Sequence, residues 1–281
     1  MASELKLTNI KHPSSGSNNL VLGSDGNVSI TNTLSAGSMG AFDRTYIATK
    51  IYLGKSARTY AGYGSGTWHT GATSHTLNNS TTYCIIQLFG GGGQGSATSN
   101  VYYGAAGGGS GAYAKFLLDV TDSNFASDNG NATTLYFELA RGVYTGSSVD
   151  GESSHFKVSS TAIITCTGGA KGAGHTGGAG GTVSVWTNKS YTKKIMLSSG
   201  LPGEDGVGGS GSGVTTSAGN GAPNPLGFGG NPMTLQVNTE GPGKDATGLG
   251  GGGMGGQRHG GGYEKSGGIG YNGGIIIEEY S

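Results

Sequence analysis

The sequence predicts an all-β fold in which glycine is itself a building material. Three observations predict it. Apolar runs of four to eight residues stop at turn-forming or glycine-rich stretches, as strands do. No segment sustains a long 3.6-residue apolar period. Glycine fills 61 of the 281 positions and is clustered; from Gly200 to Gly274 it is more than a third of the residues. Average glycine use is about 7%, and each glycine loses more backbone entropy on folding than other residues. A disordered linker would not be expected to stop at a strand-like run such as Ile275-Ile276-Ile277-Glu278-Glu279-Tyr280. A packed glycine layer bounded by strands would.

Taken in order, residues 1–40 read as short strands and turns. Leu5 to Ile10 alternates with period two, and Asn19–Leu22 and Asn27–Ile30 flank Gly23-Ser24-Asp25-Gly26, a good hairpin turn. So few strands bury too little to fold alone, which points to an oligomerisation or attachment segment. Residues 41–79 form a connecting segment with Tyr46, Tyr52, Tyr60, Tyr63 and Trp68, in which Arg44 to Leu53 is either a short helix or a strand. Residues 80–281 are the glycine-rich β domain. Its strands are expected at Tyr83–Phe89, Tyr113–Val120, Thr134–Leu139, Phe156–Val158, Ala162–Cys166, Thr182–Trp186, Lys194–Leu197, Thr234–Val237 and Ile275–Tyr280.

The glycine segments have three physical options. They are flexible linkers; or a collagen helix, for which the triplets from Gly200 to Gly208 are too few; or extended polyproline-II-like segments, or glycine loops packed on a β-sandwich. A polyproline-II helix has three residues per turn and no internal hydrogen bonds. Without side chains, neighbouring segments approach until their backbones bond to each other. The residues between glycine runs then emerge as loops.

Composition excludes several functions. Sixteen basic residues balance sixteen acidic ones, and only 11% of the chain is charged, so no nucleic-acid partner is expected. Met1 to Lys6 opens without an apolar leader, and no apolar run is long enough to span a membrane. Cys84 and Cys166 lie in strand-like runs and are expected as buried, reduced thiols. Gly54-Lys55-Ser56 suggests a phosphate loop, but the glycine it needs five positions earlier is Thr49. The histidines at 12, 69, 75, 155, 175 and 259 form no H-x-H, H-E-x-x-H or C-x-x-C pattern. No catalytic residue, metal or cofactor is expected, and the chain is not read as an enzyme.

Recognition is expected from residues between glycine runs, because loops on a rigid scaffold commonly carry binding and aromatic and amide groups give adaptable contacts. The candidates are Tyr102, Tyr103, Asn224, Phe228, Arg258 and His259.

The order of these features resembles the glycine-rich domain of tailed-bacteriophage fibre proteins. Trp68, Thr76-Leu77 and Tyr83–Phe89 lead into Gly90-Gly91-Gly92-Gly93. Gly107–Ala114 is similar to a second glycine run feeding a strand, Ala162–Gly169 to a strand ending in glycines, and Gly273–Tyr280 to the closing strand. The match covers roughly 65–281. Leu5–Ile30 is similar to N-terminal segments of phage structural proteins, particularly of phages infecting cyanobacteria. Longer inserts, Asp122 to Asn131 and Tyr144 to Ser154, depart from the pattern. The resemblance implies a virion surface protein, made in the host cytoplasm and assembled as a homotrimer. Residues 1–40 would attach to phage tail, baseplate or capsid proteins, and exposed loops would bind a host surface glycan or outer-membrane protein. Tail fibre or fibre-tip adhesin is the first reading; capsid decoration protein or head fibre is the second.

Overall fold

The computed structural model describes residues 9–10, 20–22, 28–30, 45–54, 69–70, 73–98, 102–141, 149–185, 189–208, 215–231, 240–260 and 263–281. The chain divides into two compact units, Met1–Thr45 and Tyr46–Ser281. The first contains β1 (Asn9–Ile10), β2 (Leu20–Leu22) and β3 (Val28–Ile30) in one antiparallel sheet. Its register aligns Ile10, Leu20 and Ile30 in one cross-strand row. The expected turn at 23–26 lies outside the described residues.

In the second unit the strands are β4 (Tyr46–Leu53), β5 (His69–Thr70), β6 (Ser74–Thr76), β7 (Tyr83–Phe89), β8 (Tyr103–Gly104), β9 (Tyr113–Asp119), β10 (Thr134–Glu138), β11 (Ser154–Val158), β12 (Thr161–Cys166), β13 (Val183–Val185), β14 (Thr192–Ser198), β15 (Gln257–Arg258) and β16 (Gly274–Tyr280). The fold is all-β; the helix described, α1 (Ser123–Asp128), is a single short turn-and-a-half capped by Asp122.

A six-stranded sheet, β14-β9-β7-β16-β4-β5, faces a five-stranded sheet, β13-β12-β11-β10-β6. Alternation sets the core. Cys84, Ile86 and Leu88 of β7 point inward beside Ala114, Phe116 and Leu118 of β9 and Ile275 and Ile277 of β16. Leu135, Phe137, Phe156, Val158, Ile164 and Cys166 meet them from the other sheet. Phe116 and Phe156 touch across the sandwich with ring centroids 5.2 Å apart. Each such buried ring contributes about 1.5–3 kcal/mol of transfer free energy. Both cysteines are buried free thiols; burial pushes each thiol well above its ordinary range.

One expectation changes and one open alternative is decided. Residues 41–79 are not a separate connection: β4 is an interior strand bonded to β16 on one side and β5 on the other, and the units divide at Thr45. Its helix-or-strand ambiguity resolves to strand because Ile51 and Tyr52 take up ladder positions opposite Ile276 and Ile275. The strand expected at 234–237 lies outside the described residues, as do Tyr60, Tyr63 and Trp68.

The glycine segments bond to one another, and the bonding repeats every three residues. In segment 90–98, Gly90, Gly93 and Ser96 donate to Ala112, Gly109 and Ala106; Gly91 and Gln94 donate to Glu152 and Val149; Gly92, Gly95 and Thr98 donate to Tyr271, Gly268 and Lys265. In segment 104–112, Ala105, Gly108 and Gly111 address Gly256, Gly253 and Gly250; Ala106, Gly109 and Ala112 address Gly174, Ala170 and Thr167; Gly107 and Ser110 address Glu204 and Leu201. That segment also accepts from 90–98, from Gly178 and Gly181, and from Gly219 and Ala222. It therefore has six bonded neighbours, a hexagonal packing. Segments 90–98, 104–112 and 250–257 close a triangle: Gly93 N to Gly109 O is 2.9 Å, Gly108 N to Gly253 O 2.8 Å and Gly253 N to Gly93 O 2.9 Å. A three-residue repeat of outward-pointing donors is the repeat of a polyproline-II-type helix.

Candidate functional site

The traverses give this layer two ends. Segment 90–98 leaves β7, 104–112 enters β9, 167–173 leaves β12 and 265–273 enters β16, so one end joins the sheets. The far end gathers Thr98, Tyr102, Tyr103, His175, Val207, Thr216, Arg258, His259 and Lys265. Residues 99–101, 209–214, 232–239 and 261–262 lie outside the described residues.

Four of the six expected recognition residues meet at this far end. The β8–β15 ladder sets Arg258 opposite Tyr103 and Gln257 opposite Gly104. Tyr102 packs edge-on against His259, ring centroids 5.2 Å apart. His259 Nδ1 lies 3.4 Å from Thr216 Oγ1, and Gln257 Nε2 donates to the Thr216 carbonyl at 2.8 Å, which ties β15 to the segment at Thr216. Tyr103 lies over His175, with centroids 3.7 Å apart and planes inclined by 32°. His175 Nδ1 is 3.0 Å from the Gly104 carbonyl; a carbonyl only accepts, so Nδ1 carries the hydrogen. Tyr102 has φ 58, in the left-handed region that a bulky side chain rarely occupies. Strain of this kind persists only where surrounding structure enforces it, and it collects at functional sites.

Asn224 and Phe228 are elsewhere, at the sheet end. Asn224 begins the turn that closes on Gly227, and its Nδ2 donates to the Gly111 carbonyl at 2.6 Å. Its amide therefore ties the turn to the layer. Phe228 is 78% exposed, and its carbonyl accepts from Thr247 N. The sequence reading missed His175. Its signal was present: Gly174-His175-Thr176 separates two glycine-containing runs, and Ala173 and Thr176 bridge across it.

A second constellation looks catalytic and is sealed. Tyr52 Oη is 2.7 Å from His75 Nδ1, and His75 Nε2 is 2.9 Å from Glu279 Oε1. Glu279 Oε2 accepts from Asn78 N at 2.8 Å, Asn78 Nδ2 at 3.2 Å and Thr81 Oγ1 at 2.6 Å. A neutral His75 satisfies both of these contacts: Tyr52 donates to Nδ1, and Nε2–H donates to the carboxylate. Burial alone would push the Glu279 carboxyl up, but the hydrogen bonds from Thr81, Asn78 and His75 outweigh it and hold it below the ordinary glutamate range. Burial, then the Glu279 charge, pushes the Tyr52 phenol up. With Tyr52, His75 and Glu279 all buried, no substrate reaches this relay. It cross-links β6 of one sheet to β4 and β16 of the other.

Among the described residues, no three His, Cys, Asp or Glu side chains converge as metal ligands would, and no helix is long and apolar enough to cross a membrane. Neither protein-family models nor curated proteins include one that this chain matches.

Proposed function

We propose that this chain is a virion surface protein of a tailed bacteriophage, a tail fibre or fibre-tip adhesin, that recognises its host through the far end of a polyglycine-II-like layer. Residues 1–40 attach it to the particle, and copies associate as a homotrimer. The observation that carries the reading is the far-end cluster of Tyr102, Tyr103, Arg258 and His259, with Tyr102 held in left-handed backbone. A rigid layer that ends in aromatic, imidazole and guanidinium groups offers varied chemistry for contact, and the left-handed backbone at Tyr102 marks it as a candidate functional position. The order of strands and glycine runs, which resembles phage fibre proteins, supplies the particle.

Immunogold labelling of intact particles, with an antibody raised to residues 80–281, tests the placement. Label on the tail or its fibres is the expected result. Label on the head makes the chain a decoration protein or head fibre, and no label on any particle contradicts the virion reading.

Tyr102→Gly separates recognition from folding. Glycine relieves strain of about 1–3 kcal/mol, while loss of the ring contact with His259 costs about 0.5–1.5 kcal/mol. The variant is expected to melt at or slightly above the parent temperature. Its binding to cells of a phage-sensitive strain falls at least tenfold. Unchanged binding with unchanged melting places recognition away from this cluster.

A further inference from the structure

One edge of the six-stranded sheet is β14. We infer that β14 docks an extended strand of another protein, one that sets aliphatic residues against Ile195, Met196 and Leu197 and carboxylates against Lys193 and Lys194.

The backbone of β14 is open on one side. It is bonded to β9, and among the described residues no strand pairs with its other side. A seven-residue edge strand presents a row of unpaired N–H and C=O groups, which is a template for one more strand.

The side chains favour an added strand over a packed surface. Ile195, Met196 and Leu197 are between 39% and 52% exposed. Leu197 stands opposite Ala114 and Met196 opposite Lys115. Ala114 is in the core, and Lys115, one residue on, projects from the other face. Met196 and Leu197 therefore expose apolar surface on opposite faces of the sheet. A membrane surface or a packed helix covers one face. A strand added at the edge reaches side chains on both, through cross-strand pairs. Past Ser198 the edge runs into a groove of about 230 Å³ lined by Tyr113, Leu201, Pro223 and Pro225, which accommodates an apolar side chain at the end of the incoming strand.

Charge selects the partner. Lys193 and Lys194 are exposed, and among the described residues neither is in an ion pair. Lys115 of β9 adds a third positive charge. The carboxylates at the Thr192 end are engaged elsewhere. Asp119 accepts from Thr121 N and Oγ1, Asp122 caps α1, and Asp128 takes Lys189 and Tyr191. A second copy of β14 is a poor occupant, because it would put four lysines on one ladder with no carboxylate facing them. Lysines and a register shift, here at Ile195, are devices that keep edges from pairing with their own copies. An incoming strand with carboxylates turns the same lysines into pairs, so the edge discriminates by charge.

The test titrates the full chain with a labelled peptide carrying Val-Val-Val-Glu-Glu, read by fluorescence anisotropy, with backbone hydrogen–deuterium exchange in parallel. This peptide is expected to bind at least tenfold more tightly than one with lysines in place of the glutamates, and to slow exchange of amides within 193–198. Proline in place of the middle valine removes a ladder donor and abolishes binding. Lys193→Glu combined with Lys194→Glu is expected to reverse the preference, so that the lysine peptide binds more tightly, a result that an unfolded variant cannot give. No binding by the parent chain up to roughly 1 mM, equal affinity for the two peptides, or binding that leaves the 193–198 amides unchanged overturns the inference. So does protection of those amides that rises with protein concentration in the absence of peptide, which makes a second copy the occupant. None of these outcomes bears on recognition at the far end.

Discussion

Gly108→Ala is expected to destabilise the second unit by about 3 kcal/mol or more, a fall of roughly 6–12 °C in melting temperature for a domain of this size. Gly108 sits in the triangle of segments 90–98, 104–112 and 250–257 and donates to Gly253 O at 2.8 Å. A Cβ there would lie within 3.0 Å of the carbonyls of Gly93 and Gln94. Those atoms are backbone, so no side chain can swing away. The segment itself must move, and it carries bonds to five further segments. Ordinary overpacking costs about 1–3 kcal/mol; here each displaced segment also loses hydrogen bonds in a dry interior. Gly241 is the control. A Cβ on it would meet nothing within 4 Å, so Gly241→Ala is expected to be neutral or to stabilise by about 0.4–1 kcal/mol through the unfolded chain. Thermal melts of the two variants side by side check the pair. Equal effects would mean that the glycine segments are not close-packed.

Glu279→Ala is expected to cost about 3–5 kcal/mol, because it strands the partners of a buried carboxylate. His75 Nε2–H, Thr81 O–H and the Asn78 N–H groups all lose their acceptor, and each unsatisfied buried donor costs about 1–3 kcal/mol. Glu279→Gln keeps an oxygen for the Thr81 side and is expected to fall between parent and alanine variant. The same group sets acid sensitivity. Its folded pKa is held below the unfolded value, so its stabilisation is complete above the ordinary glutamate value of about pH 4.3. It is lost as the pH falls through the lower folded value. Denaturant melts between roughly pH 6 and pH 3 should show the parent losing stability on acidification, with a shallower loss in Glu279→Gln. An identical acid limb in both would remove Glu279 from the account.

Much of the sandwich was legible in the sequence because strand signals are local. Tyr83–Phe89 reads as β7 from its apolar length and the glycines that stop it, and Ile275–Tyr280 reads as β16 for the same reason. Tyr46–Leu53 was ambiguous because its polar and apolar residues suit either period. Its ladder with β16, far along the chain, decides it. The far-end cluster was half legible. Residue types between glycine runs pointed to Tyr102, Tyr103, Arg258 and His259, but only cross-chain register brings Arg258 beside Tyr103. Asn224 and Phe228 went to the other end for a geometric reason. An extended segment rises about 3.1 Å per residue, so a traverse of about nine residues carries the chain some 28 Å. Successive turns therefore alternate between ends, and counting traverses, not composition, assigns a loop to one end. The Tyr52–His75–Glu279 relay was invisible because its members come from three strands with no shared motif.

The claim on which the rest stands is that the glycine segments form a bonded layer rigid enough to hold a recognition surface. Backbone hydrogen–deuterium exchange on the full chain tests it most directly. The amides of Gly93, Gly108 and Gly253 are predicted to exchange as slowly as those of Ile86 in β7, because each donates to a neighbouring segment inside the layer. Exchange of those three amides at the rate of an unstructured chain, while β7 stays protected, would contradict it.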